Sequence, residues 1–117
     1  MATYSLEHLS ETTKGEGILV ATASPLDGSD TAVHTAPAGV KDEVWLWATN
    51  NHTAPVELWL GIEGTTDPND VIRQTISNLE GKVRVLEGLL VSDGATIVAA
   101  AAIASEIVLW GKVQRVT

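Results

Sequence analysis

Glu43-Val44-Trp45-Leu46-Trp47-Ala48-Thr49 and, after a turn, Val56-Glu57-Leu58-Trp59-Leu60-Gly61-Ile62 are the two stretches that decide the fold. Successive side chains on a strand point to opposite faces, so residues of equal parity share a face. Val44, Leu46 and Ala48 then point one way, and Glu43, Trp45, Trp47 and Thr49 the other. Val56, Leu58, Leu60 and Ile62 share a face opposite Glu57, Trp59, Gly61 and Glu63. The aliphatic sets make core faces, which leaves three tryptophans outside among acidic residues. Asn50-Asn51-His52-Thr53-Ala54-Pro55 separates the two runs and suits an antiparallel hairpin. In such a hairpin Trp59 lies across the ladder from Trp45 or Trp47.

Working outward, Gly and Pro cut the chain into short β-branched segments. Ile18–Ala23 and Thr31–Thr35 read as strands before the central pair. Val71–Ser77, Lys82–Leu86, Leu89–Val91 and Ile107–Val116 read as strands after it. Residues 95–104, Ala-Thr-Ile-Val-Ala-Ala-Ala-Ala-Ile-Ala, have helix-forming alanines and a cap candidate in Ser92-Asp93. They lack the polar face of a surface helix, so the segment is expected as a strand buried on both sides. In the closing strand Ile107, Leu109 and Val113 share one parity and Trp110 falls on the other. Residues 1–17 have no apolar period beyond Ser5-Leu6-Glu7-His8-Leu9, which suits a single helical turn. They are expected as an extended or mobile arm beside a sandwich domain at 18–117. The fold class is all-β: one β-sandwich, jelly-roll or immunoglobulin-like.

The 117 residues suit one domain, and 44% apolar content supports a core. Cysteine is absent, which excludes a disulfide framework, a thiol nucleophile and Cys-ligated metal. No apolar run reaches the ~18 residues of a membrane span. The first residues carry Glu7 and Glu11 without a basic start, so no secretory leader is expected. The formal charge is −8, from fifteen acids against seven bases, a poor basis for nucleic-acid binding. It is also uneven: residues 1–70 hold eleven acids and only Lys14 and Lys41. That polarity either steers docking or simply keeps the chain in solution.

Few motifs carry chemistry. Asp67-Pro68-Asn69-Asp70 offers oxygen donors at close spacing, yet lacks the spaced acids of a calcium loop, so a turn is expected. His8, His34 and His52 are far apart, with no HxH or HExxH spacing for zinc. There is no nucleophile elbow, phosphate loop or dinucleotide fingerprint. A Ser–His–Asp set is not indicated by any spacing. Asn51-His52-Thr53 fits the glycosylation sequon, which means little without a secretory route. No catalytic residue, cofactor or metal is expected.

Two runs carry a resemblance. They are Ala32-Val33-His34-Thr35-Ala36-Pro37-Ala38-Gly39-Val40 with Asp42-Glu43-Val44-Trp45-Leu46-Trp47-Ala48-Thr49-Asn50, and the closing Glu106-Ile107-Val108-Leu109-Trp110-Gly111-Lys112-Val113-Gln114-Arg115-Val116. Over about residues 31–117 the chain resembles small virion structural proteins of tailed bacteriophages, of the capsid decoration or cement type. The resemblance implies a non-enzymatic β domain, made in the host cytoplasm and bound to the capsid surface. Its partners would be the major capsid protein or another virion protein and further copies of itself, often as a homotrimer. Neither nucleic acid nor membrane is an expected partner. The expected contact residues are Trp45, Trp47 and Trp59, followed by Trp110 and the arm residues Tyr4, Leu6 and Leu9. A tail, neck or fibre-associated module that recognises a host glycan or receptor through the tryptophans is the alternative.

Overall fold

The structure, a computed structural model, describes residues 3–66 and 68–117. The described residues form nine strands and no helix: β1 (Tyr4–Glu7), β2 (Ile18–Leu19), β3 (Thr31–Thr35), β4 (Lys41–Asn50), β5 (Val56–Ile62), β6 (Val71–Ile76), β7 (Val83–Ser92), β8 (Thr96–Ala101) and β9 (Ile107–Val116). They make two antiparallel sheets. Sheet A runs β1-β9-β4-β7, with β2 also paired to β9, and sheet B runs β3-β8-β5-β6. If β1 and β2 count as one interrupted edge strand, successive strands alternate between sheets except for the β5–β6 hairpin within sheet B, which is the eight-strand jelly-roll order. The fold is thus a β-sandwich.

Periodicity explains the layers. β4 alternates buried and half-exposed positions along its whole length, and Val44, Leu46 and Ala48 are fully enclosed. Val56, Leu58 and Leu60 of β5 meet them from the other sheet, with Ile97 and Ala99 of β8 and Ile107, Leu109 and Val113 of β9 completing the interior. The Ala-rich stretch is a strand: β8 lies between β3 and β5, where a small side chain lets neighbouring elements pack closely.

Several expectations are corrected. β4 and β5 do not form a hairpin, because β4 pairs with β7 and β9 while β5 pairs with β6 and β8. Parity fixes which side of a strand is apolar but not which strand lies beside it. A short connection reaches either a neighbour ~5 Å away or the facing sheet ~10 Å away. Residues 51–55 take the second route, and Asn50 holds the crossing: its Nδ2 donates to Ala54 O (3.0 Å) and Ile76 O (2.8 Å), and its Oδ1 accepts from His52 N (2.8 Å).

The runs expected as separate strands at Lys82–Leu86 and Leu89–Val91 are one strand, β7. It carries two bulges against β4, with Val85 and Gly88 as the extra residues. Gly88 has φ 75°, which a side chain would oppose. The strand expected over Ile18–Ala23 is only two residues long, followed by irregular backbone tied to β8 through Ala23.

The expected arm is largely part of the sandwich. Tyr4–Glu7 is a strand rather than a helical turn, paired in register with Val113–Val116 of β9. Leu9 is only 1% exposed, with its Cδ1 within 3.0 Å of where a Cβ on Gly111 would stand. The missing side chain at Gly111 is the space that Leu9 fills. Met1 and Ala2, which also fall in the expected arm, lie outside the described residues.

Candidate functional site: the outer face of sheet A

The alternation of β4 and β9 places Trp45, Trp47 and Trp110 on the outer face of sheet A. Trp47 is directly opposite Trp110 in the ladder, and Trp45 is opposite Lys112. The Trp110 Nε1–H donates to Thr49 Oγ1 at 3.1 Å, whereas the indole N–H groups of Trp45 and Trp47 make no hydrogen bond within the described chain. Gly17 passes against the Trp110 ring, where a Cβ would approach Cη2 to 3.0 Å. The Trp45 ring lies over Gly88, whose bulge leaves room for it. Two ammonium groups stand over this face: Lys82 Nζ lies 5.0 Å from the Trp47 ring centre and Lys112 Nζ 5.8 Å from that of Trp45.

Tyr4 and Leu6, opposite Val116 and Gln114, extend the same face along β1 and are 66% and 75% exposed. Leu19 on β2 and Leu90 on β7 continue it on either side, and both are exposed. Of the seven large hydrophobic residues exposed among those described, five lie here: Tyr4, Leu6, Leu19, Leu90 and Trp110. A shallow hollow of about 130 Å³, lined by Tyr4, Ser5, Leu6 and Gln114, opens at its β1 end. Scattered apolar exposure is ordinary, but this concentration on one sheet face is not.

The structure brings together Trp45, Trp47, Trp110, Tyr4 and Leu6 of the expected contact residues, and separates the other two. Trp59 is on the outer face of sheet B, because β5 belongs to that sheet. There it is satisfied locally: its Nε1 donates to Glu57 Oε1 at 2.8 Å, and the Arg73 guanidinium lies 4.1 Å from its ring centre and bonds the same oxygen at 3.2 Å. Leu9 is in the interior and offers no surface. Leu19 and Leu90 were missed. Leu90 escaped because the Gly88 bulge changes the parity of β7 at a point where two leucines adjoin.

A second cluster lies inside. β3 carries a bulge between Ala32 and His34, so Val33 and His34 both turn inward. Simple alternation would have sent His34 outward. His34 Nδ1 accepts from the Ser10 backbone N–H at 2.9 Å, so the ring proton is on Nε2, which donates to Asp42 Oδ2 at 2.7 Å. Arg115 grips the same carboxylate through Nε (2.9 Å) and Nη2 (3.2 Å), and its Nη1 reaches Glu7 Oε1 at 3.8 Å. Burial pushes the Asp42 carboxyl up, but the Arg115 and His34 bonds and charges outweigh it and hold its pKa below the usual value. The Asp42 contact also raises the Arg115 pKa.

Ser10, His34 and Asp42 are the residue types of a nucleophilic triad, but the bonding is different. Both imidazole nitrogens are occupied, and Ser10 Oγ accepts the Thr35 N–H at 2.8 Å. No base is left to take the hydroxyl proton, so the set ties β1, β3, β4 and β9 together.

No group of three or more metal-ligating side chains is found among the described residues. Of the Asp67–Asp70 stretch, Asp67 lies outside the described residues, and Asp70 Oδ2 accepts the Thr66 N–H at 3.2 Å within the turn. His52 Nδ1 lies 3.7 Å from Glu106 Oε1 on the partly exposed surface. No helix among the described residues is long and apolar enough to cross a membrane. Compared with known proteins, the chain matches no family model and no curated protein.

Proposed function

We propose that this protein is a non-enzymatic structural subunit of a larger assembly, using the outer face of sheet A as its contact surface. The observation that carries this reading is the gathering of Trp45, Trp47 and Trp110 with Tyr4, Leu6, Leu19 and Leu90 on one face, outside an interior that is already complete. Tryptophan and tyrosine at the centre of a flat patch are the usual anchors of protein contacts. In keeping with the resemblance to capsid decoration proteins, the assembly is a phage head. The protein binds its outer surface as an oligomer, a trimer in the simplest case, and strengthens subunit junctions by covering apolar surface.

Mass spectrometry of purified particles tests this directly. The protein should be present at a fixed ratio to the major shell protein, and particles lacking it should break at lower temperature. Absence from particles overturns the reading.

The second reading is glycan recognition at the tail or fibre. It is favoured by the directly opposed Trp47–Trp110 pair, flanked by Thr49 and Lys112, since flat indoles stack on sugar rings. Jelly-roll sandwiches serve both shells and lectins, so the fold does not choose between them. Titration with simple sugars under tryptophan fluorescence does: a saturable shift abolished by Trp47→Ser supports the glycan reading.

A further inference from the structure

The two outer faces of the sandwich differ in sign. Sheet A presents Lys41, Lys82, Arg84 and Lys112 against Glu43 and Glu87, while the rest of the chain holds three bases against thirteen acids. On sheet B the outward residue Glu57 is joined by two acidic loops. One is the loop 24–30, whose Leu26 Cδ1 lies about 3.1 Å from where a Cβ on Gly61 would stand; it carries Asp27 and Asp30. The other is the turn after β5, with Glu63 and Asp70. Arg73 is the basic residue presented there, and it is bound to Glu57. A cationic face bearing indoles thus backs onto an acidic one.

Resting on the assembly reading above, we propose that copies of this chain associate heterologously, with the indole face of sheet A seated on the acidic outer face of sheet B of the next copy. Charge selects this arrangement. Pairing two A faces opposes two cationic surfaces, and pairing two B faces opposes two acidic ones, whereas A against B is complementary. Exposed ion pairs contribute little affinity, so the apolar stripe supplies most of the attraction and the charges set partner and orientation. The molecule extends 49 × 28 × 20 Å, so its broad faces exceed the ~800 Å² per partner of a stable contact. The unpaired N–H groups of Trp45 and Trp47 fit an acidic counter-surface rich in acceptors. A heterologous contact closes into a ring when its rotation divides a full turn, and otherwise extends.

The test is analytical ultracentrifugation of the full chain at low salt and at ~1 M salt, where the Debye length falls to ~3 Å. Wild type should self-associate at low salt and weaken about tenfold or more as salt rises. A face-reversed variant, Lys112→Glu with Arg84→Glu, and a back-reversed variant, Glu63→Lys with Thr75→Lys, should each be monomeric with near-native melting. An equimolar mixture of the two should associate again. Rescue on mixing supports the proposal, because only contact between unlike faces is repaired in that way. Association that strengthens with salt, variants that associate like wild type, or a mixture without rescue overturns it. A wild-type monomer at every concentration that still adds to particles overturns this inference and leaves the assembly reading standing. A monomer absent from particles removes both.

Discussion

The two outer faces of the sandwich both carry tryptophan on alternating strands, yet they use it differently. On sheet B, Trp59 is closed into a knot with Glu57 and Arg73, which satisfies its N–H and covers its ring with a cation from the next strand. On sheet A, Trp45, Trp47 and Trp110 form a row across β4 and β9, and two of the three N–H groups are left without a partner in the described chain. An indole completed by its own neighbours is part of the domain's stability. An indole left incomplete is available to something else. The same alternating pattern therefore leaves indoles in two states, completed on sheet B and open on sheet A, and the difference lies in what the adjacent strand supplies.

The largest effect that sharpens this contrast comes from beneath sheet A. Asp42→Asn should lower stability by about 3–5 kcal/mol in urea unfolding, because Arg115 is left without its buried carboxylate and shares with His34 the one acceptor oxygen that remains. The edge of the indole face would loosen with it, since Glu7 on β1 is tied to the same arginine. The network also sets an acid limit. The Asp42 pKa is depressed in the folded state, so the unfolded chain takes up its proton first as pH falls. The stabilisation is complete above the ordinary carboxyl pKa of ~3.9 and is lost as pH drops through the lower folded value. Asp42→Asn should flatten that part of the stability–pH curve.

Next in size, Gly111→Ala should cost about 1–3 kcal/mol. The new Cβ would fall 2.5 Å from Trp45 O and 3.0 Å from Leu9 Cδ1. Expelling Leu9 should make residues 8–17 sensitive to limited proteolysis, while a wild-type cleavage rate would show that Leu9 does not anchor the segment. Trp47→Ser should weaken assembly by about 2 kcal/mol, the scale of an interface anchor, and change melting much less. A collapse of the fold would instead place Trp47 among the residues that hold the domain together. The smallest effect is on sheet B. Glu57→Gln removes the carboxylate shared by Trp59 and Arg73, and should cost no more than about 1 kcal/mol of stability.

Side-chain alternation made the layers legible. The inward sets of β4, β5 and β9 and the outward tryptophans follow from period two, and the strand over the Ala-rich segment follows from its lack of the polar face a surface helix needs. Pairing was not legible, because a strand with a good inner face is equally served by a hairpin neighbour or by a facing sheet. That ambiguity grouped Trp59 with Trp45 and Trp47. Bulges hid the rest. Val33 pushes His34 inward, and Gly88 and Val85 shift β7, which concealed both the His34–Asp42–Arg115 network and the place of Leu90. The N-terminal segment was misread for a further reason: one leucine fitted to one distant glycine leaves no periodic trace.

The bulges and the broken strand have a wider consequence. Exposed sheet edges are templates for unwanted strand addition, and here each one is short, broken or bent. One edge of sheet A is split between β1 and β2, and the other, β7, is bent twice; β3 is kinked at Val33, and β6 has only six residues. In the proposed assembly, where copies stand at high local concentration, the protein would thereby be guarded against running together into amyloid-like ribbons. Its contacts are left to broad surfaces, where shape and charge can discriminate, and are kept from backbone pairing, which accepts almost any partner.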